Sequence, residues 1–319
     1  MSQPNAPQAL DILVVSPLLP WAMEELGRVH RLHDYDPAAG PVPETVAHAV
    51  DVVLTSGGPG LGADLIAQLP NLKLCASNGV GYDRLDVDAC NRAGVIATNT
   101  PDVLTDDVAD TAIMLMLAAL RGLLAGDAHV RSGAWGRDGS MPLTRGAKGS
   151  VLGIVGAGRI GQAIGRRAEA MQMEILYTGR SEKPELDWRY IPDAVELARQ
   201  SDVLVVATAG GEGTRNLIDR PILEALGPAG CFVNIARGSV VDEPAMLDLL
   251  RSGGLGYAGL DVFENEPAPD PAFTSLSNVV LFPHHASGTL HTRNAMTQLV
   301  LDNIAAFASG TPLVTPVNG

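Results

Sequence analysis

The chain has 319 residues, of which 18% are charged and 46% are hydrophobic, and its formal net charge is −14. This length is enough for two domains, and this composition is typical of a globular protein rather than a disordered or fibrous one. The negative charge argues against nucleic acid and anionic membranes as partners, since both repel an acidic surface.

The three cysteines, Cys75, Cys90 and Cys231, have neither metal-ligand nor redox spacing, and we predict no metal site. Each lies in or beside an apolar run, which predicts a small core residue in a reducing compartment. Residues 1–10 lack a basic region followed by a long apolar run, so we predict no signal peptide. The most apolar helical pattern, 111–124, is too short to span a bilayer. The chain is therefore expected to be cytoplasmic.

Short apolar strands alternate with helical patterns through the first hundred residues. Strands are predicted near 11–16, 30–35 (weaker), 51–55, 72–76 and 95–98. Helices are predicted between them, near 21–27, 62–69 and 86–93. This alternation is typical of a parallel sheet covered by helices, and it predicts a small doubly wound domain.

The second part of the chain begins with a long helical pattern and continues as alternating strands and helices. A helix is predicted over about 106–124, and residues 131–149, rich in glycine and charge, indicate a loop. Six strands, the number in a Rossmann domain, are predicted near 151–155, 174–178, 203–207, 231–235, 256–260 and 279–281. A last helix, about 289–308, comes after this sheet, so we expect the chain to return there to the first domain.

A glycine pattern lies between the first of these strands and the helix that follows it. It consists of Gly156, Gly158 and Gly161, with Arg159 and Ile160 before the last glycine. Gly156 permits the tight turn out of the strand, Gly158 lets the backbone approach a pyrophosphate, and Gly161 lets the helix pack close to the strand. The opening N–H groups of the helix are unpaired within it and point at the anion. The pattern therefore predicts a dinucleotide site.

The corner after the next strand reads Thr178-Gly179-Arg180-Ser181. A dinucleotide-binding unit usually has an acid here that binds the ribose hydroxyls, but no Asp or Glu lies between Ile175 and Ser181. A carboxylate would repel a 2′-phosphate, whereas Arg180 can bind it through two parallel N–H bonds and Ser181 adds a hydroxyl. The corner therefore favours NADP(H) over NAD(H).

Three polar residues, Arg237, Glu266 and His284, follow three of the later strands. Ligands of a parallel sheet bind outside the carboxyl ends of its strands, so we expect these side chains to converge. Reduction of a 2-oxo acid needs the carboxylate held and the carbonyl oxygen protonated, which suits an arginine anchor and a histidine donor. Glu266 is the candidate to orient the imidazole and favour its charged form. The adjacent His285 is an alternative to His284 as the donor.

Six motifs lie in order along nearly the whole chain. They are NGVGYDRLD (78–86), NTPDVLTDDVAD (99–110), VGAGRIG (155–161), NIARGSVVDE (234–243), GLDVFENEP (259–267) and PHHASGT (283–289). Together they resemble the D-isomer-specific 2-hydroxyacid dehydrogenases, a family that includes formate, glycerate and phosphoglycerate dehydrogenases. Within it, the second motif and the 178–181 corner resemble NADP-dependent glyoxylate/hydroxypyruvate reductases and hydroxyphenylpyruvate reductases.

The resemblance implies the roles of the three polar residues. His284 would be the acid/base, because the family's histidine directly follows the proline, here Pro283. Glu266 and not Glu264 matches the catalytic glutamate that partners this histidine, and Arg237 matches the substrate anchor. Formate dehydrogenases have Gln in place of Glu266, so the resemblance argues against formate as substrate.

The resemblance also implies contacts made by other residues. Asp261 matches the residue that bonds the nicotinamide carboxamide, and the backbone N–H groups of Val80 and Gly81 match a loop that holds the substrate carboxylate. Further cofactor contacts are expected from Ile235, Ala236 and Gly288.

The predicted fold class is α/β, with two doubly wound domains. A Rossmann NAD(P)-binding domain, residues 100–286, is expected to be inserted into a discontinuous flavodoxin-like substrate domain, residues 1–99 and 287–319. The Rossmann part would include a dimerisation helix and loop, 106–149, so a homodimer is expected. Its section 135–143 would either pack in the dimer contact or reach the partner's pocket.

The sequence therefore predicts an NADPH-dependent reductase of a small 2-oxo acid, with glyoxylate or hydroxypyruvate as first choice and a D-2-hydroxy acid as product. One alternative is a bulkier oxo acid, such as a hydroxyphenylpyruvate or a keto-sugar acid. Another is a cofactor-sensing binding protein that resembles the co-repressors built on this scaffold.

Overall fold

The computed structural model describes residues 8–319. Its internal packing divides the chain into two compact units. One unit joins the residues up to Leu104 to Gly288–Gly319, and the other is Thr105–Ser287. The sequence-based boundaries, after residues 99 and 286, lie five residues and one residue earlier.

The first unit alternates strands and helices. They are β1 (Asp11–Val14), α1 (Pro20–Val29), β2 (Arg31–Asp34), α2 (Glu44–Ala47), β3 (Val52–Ser56), α3 (Ala63–Gln68), β4 (Leu74–Asn78), α4 (Val87–Ala93) and β5 (Ile96–Thr98). All five strands are parallel, in the order β2-β1-β3-β4-β5. This is the flavodoxin-like order, so the predicted fold of this part is confirmed.

The central strands of this sheet are apolar on both faces, as expected for a parallel sheet between two helix layers. One face packs against α3 and α4, and the other packs against α1. The second face is completed by Val300, Leu301 and Ile304, which come from the end of the chain.

The second unit contains seven strands. Its elements are α5 (Thr105–Arg121), α6 (Leu123–Arg131), α7 (Ala134–Asp138), β6 (Val151–Val155), α8 (Arg159–Ala170), β7 (Glu174–Thr178), β8 (Arg189–Tyr190), α9 (Ala194–Arg199), β9 (Val203–Val206), α10 (Arg220–Leu226), β10 (Cys231–Asn234), α11 (Glu243–Ser252), β11 (Tyr257–Leu260) and β12 (Val279–Leu281). All strands are parallel, in the order β12-β11-β10-β9-β6-β7-β8. The part of this order from β11 to β8 is that of a Rossmann domain, and β12 extends it by one strand. The last helix, α12 (Leu290–Ala308), belongs to the first unit.

Three details differ from the sequence-based predictions. The sheet has seven strands rather than the six predicted, and the additional strand is β8. This strand was not predicted because it has only two residues, one exposed and one half-buried, and shows no apolar run. The predicted helix 106–124 is broken at Gly122, whose φ of 59° does not fit a right-handed helix. The predicted loop 131–149 contains the short helix α7.

The three cysteines are free and fully buried, which confirms their interpretation as core residues. Burial raises the pKa of the Cys231 thiol to about 12, so this thiol stays protonated at neutral pH. Residues 1–7, which make up most of the segment used to argue against a signal peptide, lie outside the described part. Within residues 8–319, no single helix is long and apolar enough to cross a membrane. Only α5 and α6 taken together have this length and composition, and they are separated by a bend of 60°.

Candidate active site

The turn from β6 into α8 requires glycine at two positions. Gly156 has a φ of 98°, and a Cβ atom there would lie 2.8 Å from the Thr208 nitrogen. A Cβ atom on Gly161 would lie 2.1 Å from the Gly156 carbonyl oxygen, so the helix can approach the strand only with glycine here. A Cβ atom on Gly158 would meet no atom within 4 Å. Gly156 and Gly161 therefore permit close backbone packing in the turn, whereas Gly158 borders open space.

The helix that follows this turn is long enough to bind an anion at its start. Gly158 is its N-cap residue, with an extended backbone, and α8 continues for twelve residues from Arg159. The N–H groups at the start of a helix, here those of Ile160 and Gly161, have no partner within the helix. They and the helix dipole favour a phosphate group in the open space beside Gly158.

The corner after β7 presents a guanidinium beside open space. A Cβ atom on Gly179 would meet nothing within 4 Å, and Arg180 and Ser181 are exposed. The Arg180 guanidinium makes no hydrogen bond or ion pair with the rest of residues 8–319. Thr178, in contrast, is buried, and its hydroxyl donates to the Pro192 carbonyl (3.3 Å). Arg180 and Ser181 can therefore bind an anion, whereas the Thr178 side chain bonds the backbone next to the corner.

The three predicted catalytic side chains follow three neighbouring strands, β10, β11 and β12, at the carboxyl edge of the sheet. His284 Nδ1 lies 2.6 Å from Glu266 Oε2. The positive charge of Arg237 contributes to lowering the pKa of Glu266, and Gly238, next to Arg237, packs against the backbone of Phe263 in the loop of Glu266. The structure therefore brings Arg237, Glu266 and His284 together.

The carboxylate of Glu266 is bonded through both oxygens. Its Oε1 accepts the Phe263 N–H (3.0 Å), while Oε2 faces His284. Burial alone would raise the pKa of Glu266, but the bonds from His284 and Phe263 and the charges of His284 and Arg237 lower it below its ordinary value. Glu266 is therefore ionised at neutral pH and can accept the Nδ1 proton of His284. The other ring nitrogen, Nε2, makes no hydrogen bond within the described residues.

Asp261 fixes the backbone turn that carries the histidine. This residue is only 1% exposed, and its carboxylate accepts the N–H groups of His285 (2.8 Å) and Ala286 (3.2 Å). Its carbonyl accepts the His284 N–H (2.7 Å), and His284 has a φ of 47°. Burial raises the pKa of Asp261, although these bonds and the charge of His284 oppose the change. The predicted contact of Asp261 with a carboxamide stays a prediction, and the turn is a second role that the sequence did not indicate.

The neighbouring histidine has different surroundings. The His285 ring is exposed and stands edge-on to Phe282, with ring centroids 5.9 Å apart. Glu266 pairs with His284 and not with His285. The geometry therefore favours His284 as the proton donor.

Arg237 lies in a tightly built turn after β10. Asn234, which is buried, donates from Nδ2 to the Arg237 carbonyl (2.9 Å) and accepts the Ala236 N–H at Oδ1 (3.0 Å). The guanidinium of Arg237 donates to the Ala236 carbonyl (2.7 Å). Ile235 and Ala236, two predicted cofactor contacts, are buried in this turn.

The loops of Arg237 and Glu266 are in direct contact. A Cβ atom on Gly238 would lie 1.9 Å from the Phe263 carbonyl carbon, so only glycine fits between them. The next N–H, that of Glu264, donates to the carboxylate of Glu243 (2.9 Å). Glu243 is buried, and burial raises its pKa. This contribution of Glu243 was not predicted from the sequence, although the residue lies in the NIARGSVVDE motif.

In the first unit, Asn99 orients the predicted substrate loop. Its Nδ2 donates to the Val80 carbonyl (2.9 Å). Since C=O and N–H point in opposite directions in a trans peptide, this bond sets the direction of the Gly81 N–H. Gly288, also in the first unit, lies in the segment before α12 and is half-buried. The substrate contacts of Val80 and Gly81 and the cofactor contact of Gly288 stay predictions.

A cavity of about 320 Å³ lies beside the histidine–glutamate pair in the second unit. It is mostly apolar, and it is lined by Phe263, Glu266, Pro267, Pro269, Leu281, Phe282, Pro283 and His284. Among residues 8–319, no group of three or more His, Cys, Asp or Glu side chains could hold a metal ion. The arrangement can therefore bind an anion at Arg237 and transfer a proton at His284.

Comparison with known proteins agrees with this geometry. Residues 113–286 match the family model described as D-isomer specific 2-hydroxyacid dehydrogenase, NAD binding domain. A glyoxylate/hydroxypyruvate reductase A from Arabidopsis thaliana and a hydroxyphenylpyruvate reductase from Plectranthus scutellarioides are each 44% identical to this chain over 312 residues, covering 97% of it and 99% of the relative. A 2-ketogluconate reductase from Gluconobacter oxydans is 43% identical, covering 96% of this chain and 98% of the relative.

Among solved structures, an NADPH-dependent glyoxylate/hydroxypyruvate reductase from Sinorhizobium meliloti, in complex with NADP and malonate, is 40% identical to this chain. It superimposes with a TM-score of 0.91, and the alignment covers 97% of both chains. The matches in sequence and in structure both extend over nearly the whole chain. The chain therefore belongs to the D-isomer-specific 2-hydroxyacid dehydrogenases.

Proposed function

We propose that this protein uses NADPH to reduce a small 2-oxo acid, with glyoxylate or hydroxypyruvate as the first choice, to the D-2-hydroxy acid. The observation on which this mainly depends is the 2.6 Å bond between His284 Nδ1 and Glu266 in the dinucleotide-binding unit. A histidine held in this way directs Nε2 toward a substrate and can give up a proton near neutral pH.

Each residue of the trio has one task in this reaction. Arg237 binds the substrate carboxylate through its planar guanidinium. His284 Nε2 donates a proton to the carbonyl oxygen, and Glu266 stabilises the imidazolium before the transfer and keeps the ring oriented after it. The dihydronicotinamide, when bound, supplies the hydride to C2. Val80 and Gly81 remain proposed carboxylate contacts on the family resemblance.

The glycine turn and the corner at 178–181 support NADP(H) as the cofactor. The open space at Gly158 and the start of α8 fit a pyrophosphate. The open space at Gly179 and the exposed guanidinium of Arg180, which is unpaired within residues 8–319, fit a 2′-phosphate. The Sinorhizobium relative, which has NADP bound, is consistent with this assignment. Asp261, Ile235, Ala236 and Gly288 remain proposed contacts on the nicotinamide side.

The relatives do not by themselves select the oxo acid. Those named for glyoxylate/hydroxypyruvate, hydroxyphenylpyruvate and 2-ketogluconate are 43–44% identical to this chain. We retain the bulkier oxo acids as the second candidate, because the apolar cavity of about 320 Å³ beside His284 has room for a larger group. A purely cofactor-sensing role is less well supported, because it would not need the paired His284 and Glu266.

We also propose a homodimer located in the cytoplasm. Residues 106–149 include several large apolar side chains that are exposed, namely Met114, Leu123, Leu124, Val130, Trp135 and Leu143. A second copy of the chain would cover these side chains in the proposed dimer. Free, buried cysteines fit a reducing compartment. Sedimentation of the protein tests the dimer: a Leu123→Glu and Leu124→Glu double variant should sediment as a monomer, and a monomeric parent protein would contradict the proposal.

The function is tested by initial rates with NADPH and NADH against glyoxylate, hydroxypyruvate, hydroxyphenylpyruvate and 2-ketogluconate. We expect the highest kcat/KM with NADPH and one of the two small acids. A higher kcat/KM for a bulky acid would replace the first choice by the second candidate. Cofactor binding without turnover of any of the four acids would contradict the enzymatic assignment.

A further inference from the structure

Two tyrosines in mutual ring contact bond the backbone around the 178–181 corner. Tyr177 is in β7, the strand that leads into the corner, and Tyr190 ends β8, the short edge strand. Their ring centroids are 5.3 Å apart, and the ring planes are inclined by 47°. Tyr177 is fully buried and Tyr190 is half-buried.

The two hydroxyl groups bond the backbone at the two ends of the turn after β7. Tyr190 Oη donates to the Gly179 carbonyl (3.1 Å), and Tyr177 Oη accepts the Lys183 N–H (2.8 Å). Arg180 lies between these two anchored positions, next to the Gly179 end. The aromatic pair therefore constrains the backbone on both sides of the proposed phosphate-binding residue.

We propose that Tyr177 and Tyr190 are positioning residues for cofactor specificity: they hold the turn 179–183 in the shape that presents Arg180 and Ser181 to a 2′-phosphate. This inference rests on the proposed NADPH preference. Its physical basis is preorganisation, because a turn that is already ordered loses no further backbone entropy when the phosphate binds. NADH, which has no 2′-phosphate, gains nothing from an ordered Arg180.

The charge of the turn gives a second reason to fix it. Glu182 is exposed beside Ser181, and Glu185 lies 3.6 Å from Lys183 Nζ. A mobile turn would present these carboxylates as well as the guanidinium to the phosphate, and the repulsion would offset part of the attraction. A fixed turn presents Arg180 selectively.

The inference is tested with Tyr190→Phe, Tyr177→Phe and the double variant, each of which removes only hydroxyl groups. Tyr35→Phe is the matched control, since Tyr35 Oη donates to the Gly40 carbonyl (3.0 Å) in the first unit. The probes are 2′,5′-ADP and 5′-ADP, titrated by calorimetry into the purified protein. The kcat and KM values for NADPH and NADH give a second measurement.

Tyr190→Phe removes one neutral hydrogen bond and should weaken 2′,5′-ADP binding by about 2- to 12-fold. Tyr177→Phe removes the bonds of Tyr177 Oη to both the N–H and the carbonyl of Lys183, so it should weaken this binding at least as much. Binding of 5′-ADP should not change, the KM for NADPH should rise, and the kcat with NADPH should hold. Tyr35→Phe should alter none of these values. Tyr190→Phe, at a half-exposed position, keeps the test decisive if the Tyr177 variant folds poorly.

Equal losses for both probes, or no loss for either, would overturn the role of the tyrosines. A parent protein that binds the two probes equally would instead refute the proposed NADPH preference. A parent that prefers 2′,5′-ADP while the variants keep the same ratio would leave the cofactor assignment intact and refute only the tyrosine inference.

Discussion

Replacing Glu266 by glutamine isolates the contribution of one negative charge to proton transfer. The Gln side chain can keep an oxygen toward the Phe263 N–H, where Glu266 Oε1 now accepts a bond of 3.0 Å. Its amide group would then face His284 Nδ1, now 2.6 Å from a carboxylate oxygen. An amide N–H there favours the neutral ring and cannot stabilise the imidazolium that must donate the proton. The packing is thus retained while the charge-assisted bond is lost.

The size of the effect follows from that bond. A hydrogen bond between charged groups contributes about 1.5–3 kcal/mol, so kcat/KM for reduction should fall about 10- to 150-fold at neutral pH. The affinity for NADPH should not change, since the carboxylate of Glu266 bonds Phe263 and His284 and no residue of the glycine turn or the 178–181 corner.

The assay is kcat/KM for the best oxo acid with NADPH between pH 5 and 9, together with the NADPH Kd from fluorescence titration. Glu264→Gln is the matched control, because this nearby carboxylate pairs with Arg215 (3.2 Å) rather than with His284. If Glu266→Gln keeps the parent kcat/KM, or if Glu264→Gln loses as much, the charge of Glu266 does not assist proton transfer by His284.

Protein stability gives an independent check on the same carboxylate. The pKa of Glu266 is lowered from its ordinary value of 4.5, so its stabilising effect is complete above that value and is lost as the pH falls through the folded-state pKa. The difference in free energy of unfolding between the parent protein and Glu266→Gln should therefore narrow below about pH 4.5. Urea unfolding at several pH values measures it, and a difference that widens in acid would contradict the lowered pKa.

Four further changes test separate parts of the structure. His284→Ala should lower kcat about 10²- to 10⁴-fold with unchanged NADPH affinity, and full turnover would exclude it as the donor. Arg180→Ala should cut the ratio of kcat/KM for NADPH over NADH about 10- to 100-fold, and an unchanged ratio would contradict the phosphate assignment. Gly161→Ala places a Cβ atom 2.1 Å from the Gly156 carbonyl oxygen, so the Kd should rise equally for both cofactors; unchanged affinity would show that the turn can relax. Burial raises the pKa of Glu243, so ionisation of this carboxyl destabilises the parent protein as the pH rises. The free energy of unfolding of Glu243→Gln, measured in urea, should therefore increase relative to that of the parent between pH 4 and 8. A decrease would contradict the raised pKa.

Much of the fold could be predicted from short local patterns. Strands β1, β3 and β4 are apolar on both faces, which is typical of strands in a parallel sheet. Their alternation with helices along the chain also predicts a parallel sheet. The convergence of the catalytic trio was predictable because parallel strands end at one edge of a sheet. The structure bears this out for the strands β10 to β12, which are neighbours in the sheet.

The missed features depend on tertiary contacts or on very short elements. β8 consists of two residues and has no apolar periodicity, although it carries Tyr190 under the proposed phosphate corner. Asp261 accepts the N–H of His285 across 24 positions of the chain, and Asn99 reaches back 19 positions to Val80. Such bonds leave no periodic signal, because the sequence shows which residue is polar but not which backbone group it meets.

The left-handed backbone of His284 has a consequence for the evolution of new activities at this site. At a φ of 47°, β-branched and most bulky side chains are strained by about 1–2 kcal/mol, whereas His, Asn, Asp and Gly tolerate the conformation. The N–H groups of His285 and Ala286 donate to the Asp261 carboxylate, and these two bonds do not involve the side chain at position 284. Few side chains can therefore replace this acid without moving the backbone. The protein is free to vary its substrate through the surrounding loops, while the proton donor itself has almost no chemical alternatives.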